Sequence, residues 1–199
     1  MGSLFRDGGF VKNIILIGFM GTGKSAVGRR LAKEVSYRFV DTDRLIEEKT
    51  GKKIADIFLD EGEDRFRELE AEIVREVMKG ERLVVSTGGG TVLNQKSLDL
   101  LCQHGTAVWL TARPEVILQR TQRRVGKRPL LTAGVSGEGD NPLVTIAHLL
   151  GEREPYYRHA EFSVDTSDMS ISGVVSKIKE NIFGPDRNDH ISQGTFPIK

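Results

Sequence analysis

The most distinctive residue spacing in the chain is a glycine-rich segment at 18–25, which matches the pattern G-x-x-x-x-G-K-[ST]. Glycines allow the backbone to curl so that successive N–H groups point into one concavity, and a following helix directs its positive N-terminal end to the same place. We expect Lys24 to reach the β- and γ-phosphates of a nucleotide and the Ser25 hydroxyl to coordinate Mg²⁺. The segment therefore predicts nucleotide binding, and the alternative is a chance match in a glycine-rich loop.

Two carboxylates one residue apart, Asp41 and Asp43, follow the second predicted strand. At the end of a strand they can serve two different neighbours. One can lie behind a metal ion and its water ligands, and the other can accept a hydrogen bond from an acceptor hydroxyl. The alternative is that Asp43 or Thr42 only caps a helix that begins near Leu45. The position beside a phosphate loop favours the chemical interpretation.

Three consecutive glycines, Gly88, Gly89 and Gly90, follow the third predicted strand. Many phosphate-loop enzymes end a later strand in an aspartate that holds Mg²⁺ through water, but no acid ends this strand, which makes Asp41 the better candidate for that position. Glycines let a small ligand approach the backbone closely and accept hydrogen bonds from the backbone N–H groups. The alternative is a flexible turn, although a plain turn rarely needs three residues of such high conformational entropy.

Several arginines are candidates for binding an anion. Arg67 lies one step off the apolar stripe of a predicted helix, and Arg158 follows two tyrosines just before the fifth predicted strand. Because guanidinium groups bind carboxylates through two parallel hydrogen bonds, both could hold an acidic substrate, and the alternative for each is a solvated surface arginine.

Residues 120–128 carry five cations without an acid and open a glycine-rich segment at 126–141. This predicts a lid over a triphosphate, with a solvated helix end as the alternative.

The elements that must position these residues alternate between short apolar strands and helices. Strands are predicted at 11–17, 38–41, 83–87, 107–110 and 162–165. Helices are predicted at 24–35, 45–49, 63–79, 96–102, 114–122, from 142 onward with an interruption or kink at Pro155, and at 174–182. Alternation of this kind is typical of an α/β fold in which helices cover both faces of a parallel sheet. Ligands in such folds bind at the carboxyl ends of the strands, where the candidate residues lie.

The composition excludes several other classes of protein. The 199 residues include 29 Lys and Arg against 28 Asp and Glu, a formal net charge of +1, which gives no support for nucleic-acid binding. A single cysteine, Cys102, excludes an internal disulfide and a multi-cysteine zinc site. We expect it to be a small buried residue in a reducing cytosol. No apolar run approaches the roughly 20 residues that cross a bilayer.

Taken in order, the motifs resemble those of the shikimate kinases. The resemblance covers about residues 13–182 and rests on six segments: GFMGTGKS at 18–25, DTD at 41–43, FR at 66–67, TGGG at 87–90, RPLL at 128–131 and YR at 157–158. It implies a three-layer P-loop fold similar to that of nucleoside monophosphate kinases, with a five-stranded parallel sheet in the order 2-3-1-4-5. It also implies transfer of the γ-phosphoryl group of ATP to the 3-hydroxyl of shikimate, in the pathway to chorismate and the aromatic amino acids.

The resemblance further implies roles for individual residues. The ATP phosphates would be wrapped by Gly21, Thr22, Gly23, Lys24, Ser25 and Ala26, with Arg128 of the lid on ATP and the transferred group. Ser25 would coordinate Mg²⁺, and Asp41 would reach the ion through water. Shikimate would be bound by Asp43, Arg67, Gly88, Gly89, Gly90 and Arg158. Lys24, Asp43 and Arg128 would be catalytic, with Asp43 orienting or deprotonating the acceptor hydroxyl.

We expect one kinase domain over residues 11–183, with a lid at about 123–141, a flexible head at 1–10 and a flexible tail at 184–199. A cytoplasmic monomer that acts on ATP and shikimate, without nucleic acid or membrane, fits these features. Two departures from the family pattern are visible. The segment 132–141 is long for the lid, and residues 165–168 lack the arginine or glutamine expected near an adenine, so the base contacts stay unassigned.

Two other functions remain open at this point. One is another small-metabolite kinase of similar fold, such as a gluconate kinase. The other is a nucleotide-binding module that does not turn over its ligand.

Overall fold

The computed structural model describes residues 13–122 and 141–185. The strands are β1 Asn13–Ile17, β2 Arg38–Asp41, β3 Leu83–Ser86, β4 Thr106–Thr111 and β5 Phe162–Asp165. They form one parallel sheet in the order β2-β3-β1-β4-β5, which confirms the expected topology. All five residues of the central strand β1 are buried, as a nearly continuous apolar run predicts for a strand covered on both faces.

Helices cover both faces of this sheet. They are α1 Lys24–Val35, α2 Thr42–Thr50, α3 Ile54–Asp60, α4 Gly62–Val77, α5 Gln95–His104, α6 Pro114–Gln122, α7 Pro142–Tyr157 and α8 Ile171–Phe183, with a 3₁₀ turn at Thr91–Leu93. On one face, Ile15 and Ile17 pack in a core with side chains of α2, α4 and α5. On the other face, Ile14 and Leu16 pack in a core with α1 and α8. Alternate side chains of β1 thus point to opposite faces of the sheet, and each set packs against the helices on its own side.

The helices differ from the predictions at three places. Helix α2 begins at Thr42, three residues before the predicted start, and α3 was not predicted at all. Helix α7 continues through Pro155 to Tyr157 without interruption. Proline removes the N–H that would bond the carbonyl of Gly151, and Gly151 is exposed, so water can satisfy that carbonyl. Cys102 is exposed and not buried.

The sheet register determines which residues meet at its carboxyl edge. Leu16 pairs with Ser86 and with Val108, and Asp41 pairs with Ser86. The segments that follow β1, β2 and β3 therefore leave the sheet at the same level and converge. Within residues 13–122 and 141–185, no helix is long and apolar enough to cross a membrane.

Candidate active site

A cavity of about 360 Å³ lies at the carboxyl edge of the sheet. It is lined by residues 20–27 after β1, by Asp41 at the end of β2 and Asp43 just beyond it, and by Thr87 and Gly89 after β3. The structure thus brings together all six residues predicted to wrap phosphates, both carboxylates and the middle glycine of the predicted substrate turn. These groups converge although they come from three separate strand ends.

The segment after β1 adopts a conformation that depends on glycine. Gly18, Gly21 and Gly23 have backbone φ angles of 136°, 81° and 96°, a region that residues with side chains rarely adopt. A Cβ atom at Gly18 would lie 2.3 Å from the carbonyl oxygen of Leu110 on β4, so a side chain there would collide with the neighbouring strand. Helix α1 begins directly after Gly23 and points its N-terminal end into the cavity.

Lys24 is buried at the start of α1, with 7% of its surface exposed. Its Nζ donates hydrogen bonds to the carbonyl oxygens of Gly18 at 2.6 Å and Phe19 at 2.9 Å. The hydroxyl of Thr22 donates to the same Phe19 carbonyl at 2.8 Å. These bonds close the loop on itself and hold the ammonium group inside the concavity, where an anionic ligand would meet it.

Ser25 and Asp41 share one corner of the cavity. The Ser25 hydroxyl donates to Oδ2 of Asp41 at 2.7 Å and lies 3.4 Å from the Ser86 hydroxyl. Oδ1 of Asp41 accepts from the backbone N–H of Arg44, so Asp41 is the N-cap of α2. The capping alternative that named Thr42 or Asp43 was therefore wrong, because the helix starts earlier than its apolar pattern indicates.

The oxygens at this corner fit a small hard cation. They are two hydroxyls and one carboxylate, the ligand type that Mg²⁺ prefers, and Mg²⁺ usually takes its remaining ligands from phosphates and water. Among the described residues, no three His, Cys, Asp or Glu side chains converge to form a protein cage for a metal. The corner therefore suits an ion that arrives with a nucleotide.

Thr42 fixes the start of α2 against the triple-glycine turn. It is buried, and its hydroxyl accepts a 3.1 Å hydrogen bond from the backbone N–H of Gly88. Asp43, in the first turn of α2, then lies beside this turn: a Cβ at Gly88 would be 2.8 Å from Oδ1 of Asp43 and 2.5 Å from Oε1 of Glu70. A side chain at Gly88 would therefore force these two carboxylates to move.

Arg67 occupies the far end of the same turn. Its Nη1 donates to Oε2 of Glu70 at 2.5 Å and its Nη2 to Oε1 of Glu63 at 2.8 Å. A Cβ at Gly90 would lie 2.5 Å from Arg67 Nη1, so the guanidinium rests on the glycine backbone. Burial lowers the pKa of Arg67, but Glu70 and Glu63 outweigh it and raise that pKa above its ordinary value. Arg67 is therefore a permanent cation against the Gly90 end of the turn.

Glu70, which no sequence motif singled out, contacts Arg67. It is 3% exposed and also accepts a 2.7 Å hydrogen bond from the hydroxyl of Thr91. Its position three residues after Arg67 on α4 was the available signal, because residues at this spacing share a helix face. Glu70 fixes the guanidinium next to the turn.

Arg120 and Thr166 were also missed. Arg120 was grouped with the lid cations, but it donates to the carbonyl of Gly21 at 3.3 Å and to the hydroxyl and carbonyl of Thr166 at 3.0 and 2.7 Å. The Thr166 hydroxyl in turn donates to the carbonyl of Thr22 at 3.0 Å. These contacts tie the phosphate loop to the segment after β5, where the sequence left the base contacts unassigned.

One predicted site residue among the described ones, Arg158, is not brought into this group. The Arg158 side chain is 71% exposed and pairs with Glu154, one helical turn earlier on α7, at 2.7 Å. It does not line the cavity. Arg128 and nearly all of the predicted lid at 123–141 lie outside the described residues, as do the head at 1–10 and the tail beyond residue 185.

Comparison with known proteins identifies the relatives of this chain. The family model described as shikimate kinase matches residues 20–183. The shikimate kinase of Pelotomaculum thermopropionicum is 49% identical over 168 residues, covering 84% of this chain and 94% of that protein. The shikimate kinase of Thermus thermophilus is 44% identical over 170 residues, covering 85% and 89%.

Solved structures give the same result. The structure of shikimate kinase from Acinetobacter baumannii in complex with shikimate superposes with a TM-score of 0.81 at 37% identity, covering 88% of this chain and 95% of that chain. The shikimate kinase from Aquifex aeolicus superposes with a TM-score of 0.71 at 32% identity, covering 86% and 96%. The match therefore extends over nearly the whole length of these relatives.

Proposed function

Because the chain belongs to the shikimate kinase family, we propose that it transfers the γ-phosphoryl group of ATP to the 3-hydroxyl of shikimate, giving shikimate 3-phosphate and ADP. The chain is a kinase, and this reaction belongs to the pathway to chorismate and the aromatic amino acids. The observation that carries the proposal is that the phosphate loop, Asp43 and the glycine turn, against which Arg67 of α4 lies, meet at one sheet edge.

The ATP end of the site is formed by residues 21–26. Their backbone N–H groups and the N-terminal end of α1 would face the β- and γ-phosphates, and the ammonium group of Lys24, which donates to the Gly18 and Phe19 carbonyls in this structure, would turn to them. Because phosphoryl transfer requires positioning and charge stabilisation more than covalent help, these groups lower the barrier by holding the phosphates in place and spreading their charge. Arg128 of the lid adds a further cation on the transferred group.

The metal that accompanies ATP is Mg²⁺ in this proposal. Ser25 would coordinate it directly, and Asp41, which accepts a 2.7 Å hydrogen bond from the Ser25 hydroxyl, would hold it through water. When bound, the ion neutralises charge on the phosphate oxygens.

The acceptor end is formed by Asp43, Arg67, Arg158 and the turn of Gly88, Gly89 and Gly90. Arg67 has the charge and the bidentate geometry to hold the shikimate carboxylate, and Arg158 joins it after release from Glu154. The glycine backbone meets the ring hydroxyls at close range.

Asp43 orients the 3-hydroxyl of shikimate and receives its proton. The hydroxyl oxygen forms a bond to the γ-phosphorus while the bond from that phosphorus to the β,γ-bridging oxygen breaks, and ADP leaves with the bond electrons. The carboxylate stands beside Gly88, where the acceptor ring would meet the turn. The chemistry therefore needs a single proton acceptor, which Asp43 supplies.

The remaining expectations are part of the same proposal. Residues 11–183 form one kinase domain with a lid at about 123–141. The enzyme acts as a cytoplasmic monomer.

The test is ADP release measured with a coupled assay in the presence of ATP, Mg²⁺ and a panel of acceptors that includes shikimate and gluconate. Shikimate-dependent ADP release and the formation of a shikimate phosphate ester support the proposal. Release that depends on gluconate and not on shikimate would identify a different small-metabolite kinase. A chain that binds ATP in calorimetry but never consumes it with any acceptor would be a nucleotide-binding module.

A further inference from the structure

The hydroxyl of Thr91 makes a buried hydrogen bond that neither the sequence motifs nor the proposed reaction uses. Thr91 follows Gly90 directly, begins the 3₁₀ turn after the three glycines and is 2% exposed. Its hydroxyl donates to Oε1 of Glu70 on α4 at 2.7 Å. The other oxygen of that carboxylate, Oε2, accepts a hydrogen bond from Nη1 of Arg67 at 2.5 Å. The Glu70 carboxylate is therefore held on one side by the turn and on the other by its own helix.

These two partners give the buried Glu70 carboxylate a single orientation. The Glu70 side chain is 4% exposed, and a buried carboxylate is costly unless its oxygens accept hydrogen bonds. Thr91 bonds one oxygen, and Arg67 bonds the other. Without the Thr91 hydroxyl, the carboxylate would have to turn toward another donor. The Arg67 guanidinium would then turn with it, because the two groups form an ion pair.

The hydroxyl of Thr42 holds the opposite end of the glycine turn. Thr42 is 1% exposed and stands between Asp41 and Asp43 at the start of α2. Its hydroxyl accepts a hydrogen bond from the Gly88 N–H at 3.1 Å and donates to the Ser86 carbonyl oxygen at 3.4 Å. The first glycine of the turn is therefore tied to the helix that carries the proposed proton acceptor.

Gly88 connects the two threonine hydroxyls. Its N–H donates to Thr42, and its carbonyl oxygen accepts a hydrogen bond from the backbone N–H of Thr91 at 3.3 Å. A series of hydrogen bonds therefore runs from α2, across the first residue of the turn, to Thr91 and the Glu70 carboxylate on α4. Because a hydrogen bond keeps its length within a narrow range, this series fixes the distance between the two helices at the turn.

The ends of this series carry the two side chains that the acceptor must engage together. Asp43 follows Thr42 on α2, and a Cβ at Gly88 would lie 2.8 Å from its Oδ1. Arg67 pairs with Glu70 at the other end. In the proposed reaction, the acceptor presents its reactive hydroxyl to the Asp43 carboxylate and its own carboxylate to the Arg67 guanidinium. The separation of these two groups therefore decides whether both contacts form at once.

We propose that Thr42 and Thr91 are positioning residues whose hydroxyls set the separation between Asp43 and Arg67. Neither touches the substrate in this role, because Thr42 acts through the turn and Thr91 acts through the buried carboxylate on α4. Shikimate then meets a proton acceptor and a carboxylate ligand that are already spaced for it. The inference rests on the proposed function, since it takes Asp43 and Arg67 as the two ends of the acceptor site.

The first test compares Thr91→Val with Thr91→Ser in steady-state kinetics. Valine keeps the size of threonine and removes the hydroxyl. The shikimate KM should therefore rise about tenfold, as expected for the loss of a hydrogen bond to a charged group. The ATP KM and kcat should stay within about twofold of the wild type, since the phosphate contacts and Asp43 are unchanged. Thr91→Ser restores the hydroxyl and should return the shikimate KM to within about twofold of the wild type.

The second test applies the same substitutions to Thr42. Thr42→Val leaves the Gly88 N–H without this acceptor, so α2 moves relative to the turn and Asp43 loses its place at the acceptor hydroxyl. Here kcat should fall about tenfold while the ATP KM stays within about threefold of the wild type, and Thr42→Ser should restore kcat. The matched control is Thr50→Val at the other end of α2, which removes a hydroxyl that bonds the Ile46 carbonyl at 2.8 Å and should keep wild-type kinetics.

A shikimate KM within about twofold of the wild type in Thr91→Val, or a kcat within about twofold in Thr42→Val, would overturn the proposal. Serine variants no better than the valine variants would do the same, because serine restores the hydroxyl. So would equal rises in the shikimate and ATP KM values together with a lowered melting temperature, since these would show a purely structural role. If the wild type releases no shikimate-dependent ADP, the proposed function fails first and takes this inference with it.

Discussion

The Ser25 hydroxyl donates a 2.7 Å hydrogen bond to the Asp41 carboxylate, so the first turn of α1 and the end of β2 meet at one corner of the cavity. The other oxygen of Asp41 caps α2. One carboxylate thus links the phosphate loop to the helix that carries Asp43. A substitution that keeps the cap of α2 can therefore test the role of the Asp41 carboxylate toward the metal without disturbing the helix.

Asp41→Asn should raise the Mg²⁺ concentration required for half-maximal activity by about fivefold or more, because an amide holds metal-bound water more weakly than a carboxylate. Asparagine is as good an N-cap as aspartate, so the melting temperature should change little. The measurement is the initial rate against Mg²⁺ at saturating ATP and shikimate. The control is Asp56→Asn at an exposed position on α3. An unchanged Mg²⁺ dependence in Asp41→Asn would remove Asp41 from the metal site.

Lys24→Met and Asp43→Asn should each lower kcat by about 100-fold or more while the fold stays intact. Methionine keeps the length of the lysine side chain without the charge that stabilises the phosphates, and asparagine cannot accept the hydroxyl proton. Coupled ADP release measures the rate, and circular dichroism checks the fold. Asp43→Asn should still bind ADP with nearly wild-type affinity, since its defect lies at the acceptor. Near-normal turnover in either variant would contradict the assigned site.

Arg67→Ala should weaken shikimate binding by about 10- to 100-fold and ATP binding far less, because a charge-assisted pair with the substrate carboxylate is lost. Calorimetric titration with shikimate and with ADP separates the two effects. Equal losses of both affinities would contradict the carboxylate role. Since Arg67 also pairs with Glu70, which is 3% exposed, a thermal melt should accompany each titration.

Gly90→Ala should raise the shikimate KM without removing any charge. The added Cβ would lie 2.5 Å from the Arg67 guanidinium, so the cation must move away from the turn. The matched control is Gly151→Ala on α7, where nothing lies within 4 Å of the new Cβ. That control should keep wild-type kinetics and gain about 0.5–1 kcal/mol of stability, since alanine favours a helix. A wild-type shikimate KM in Gly90→Ala would show that the position of Arg67 does not matter.

Glu154→Gln should lower the shikimate KM by about twofold, because it releases Arg158 from an exposed pair that competes with the substrate carboxylate. The control is Glu152→Gln on the same helix, whose partner His148 is exposed and does not line the cavity. Steady-state rates at saturating ATP measure both. A raised KM in Glu154→Gln would mean that Glu154 holds Arg158 in its working position and does not compete with shikimate.

The backbone conformation of the phosphate loop could be predicted from the sequence, because the spacing of its glycines and lysine determines that conformation. The phosphate loop needs glycine at fixed positions before a lysine, and Gly18, Gly21 and Gly23 do adopt positive φ angles. Alternating strands and helices allow few topologies, so the residues at the carboxyl ends of the parallel strands must lie at the same edge of the sheet. The three consecutive glycines likewise predicted that other groups approach the backbone of this turn closely, because glycine has no side chain.

The identity of what approaches each glycine was decided only by the tertiary structure. Gly88 faces Asp43 and Glu70, and Gly90 faces Arg67, through contacts between α2, α4 and the turn after β3. The first residue of α2, Thr42, accepts a hydrogen bond from the Gly88 N–H across the sheet edge, and no local pattern encodes that bond. The hydrogen bond from the Tyr157 hydroxyl to the Gly89 carbonyl likewise joins residues 68 positions apart. Spacing along the chain determines local backbone shape, whereas such pairings depend on sheet register and packing, which only the folded chain establishes.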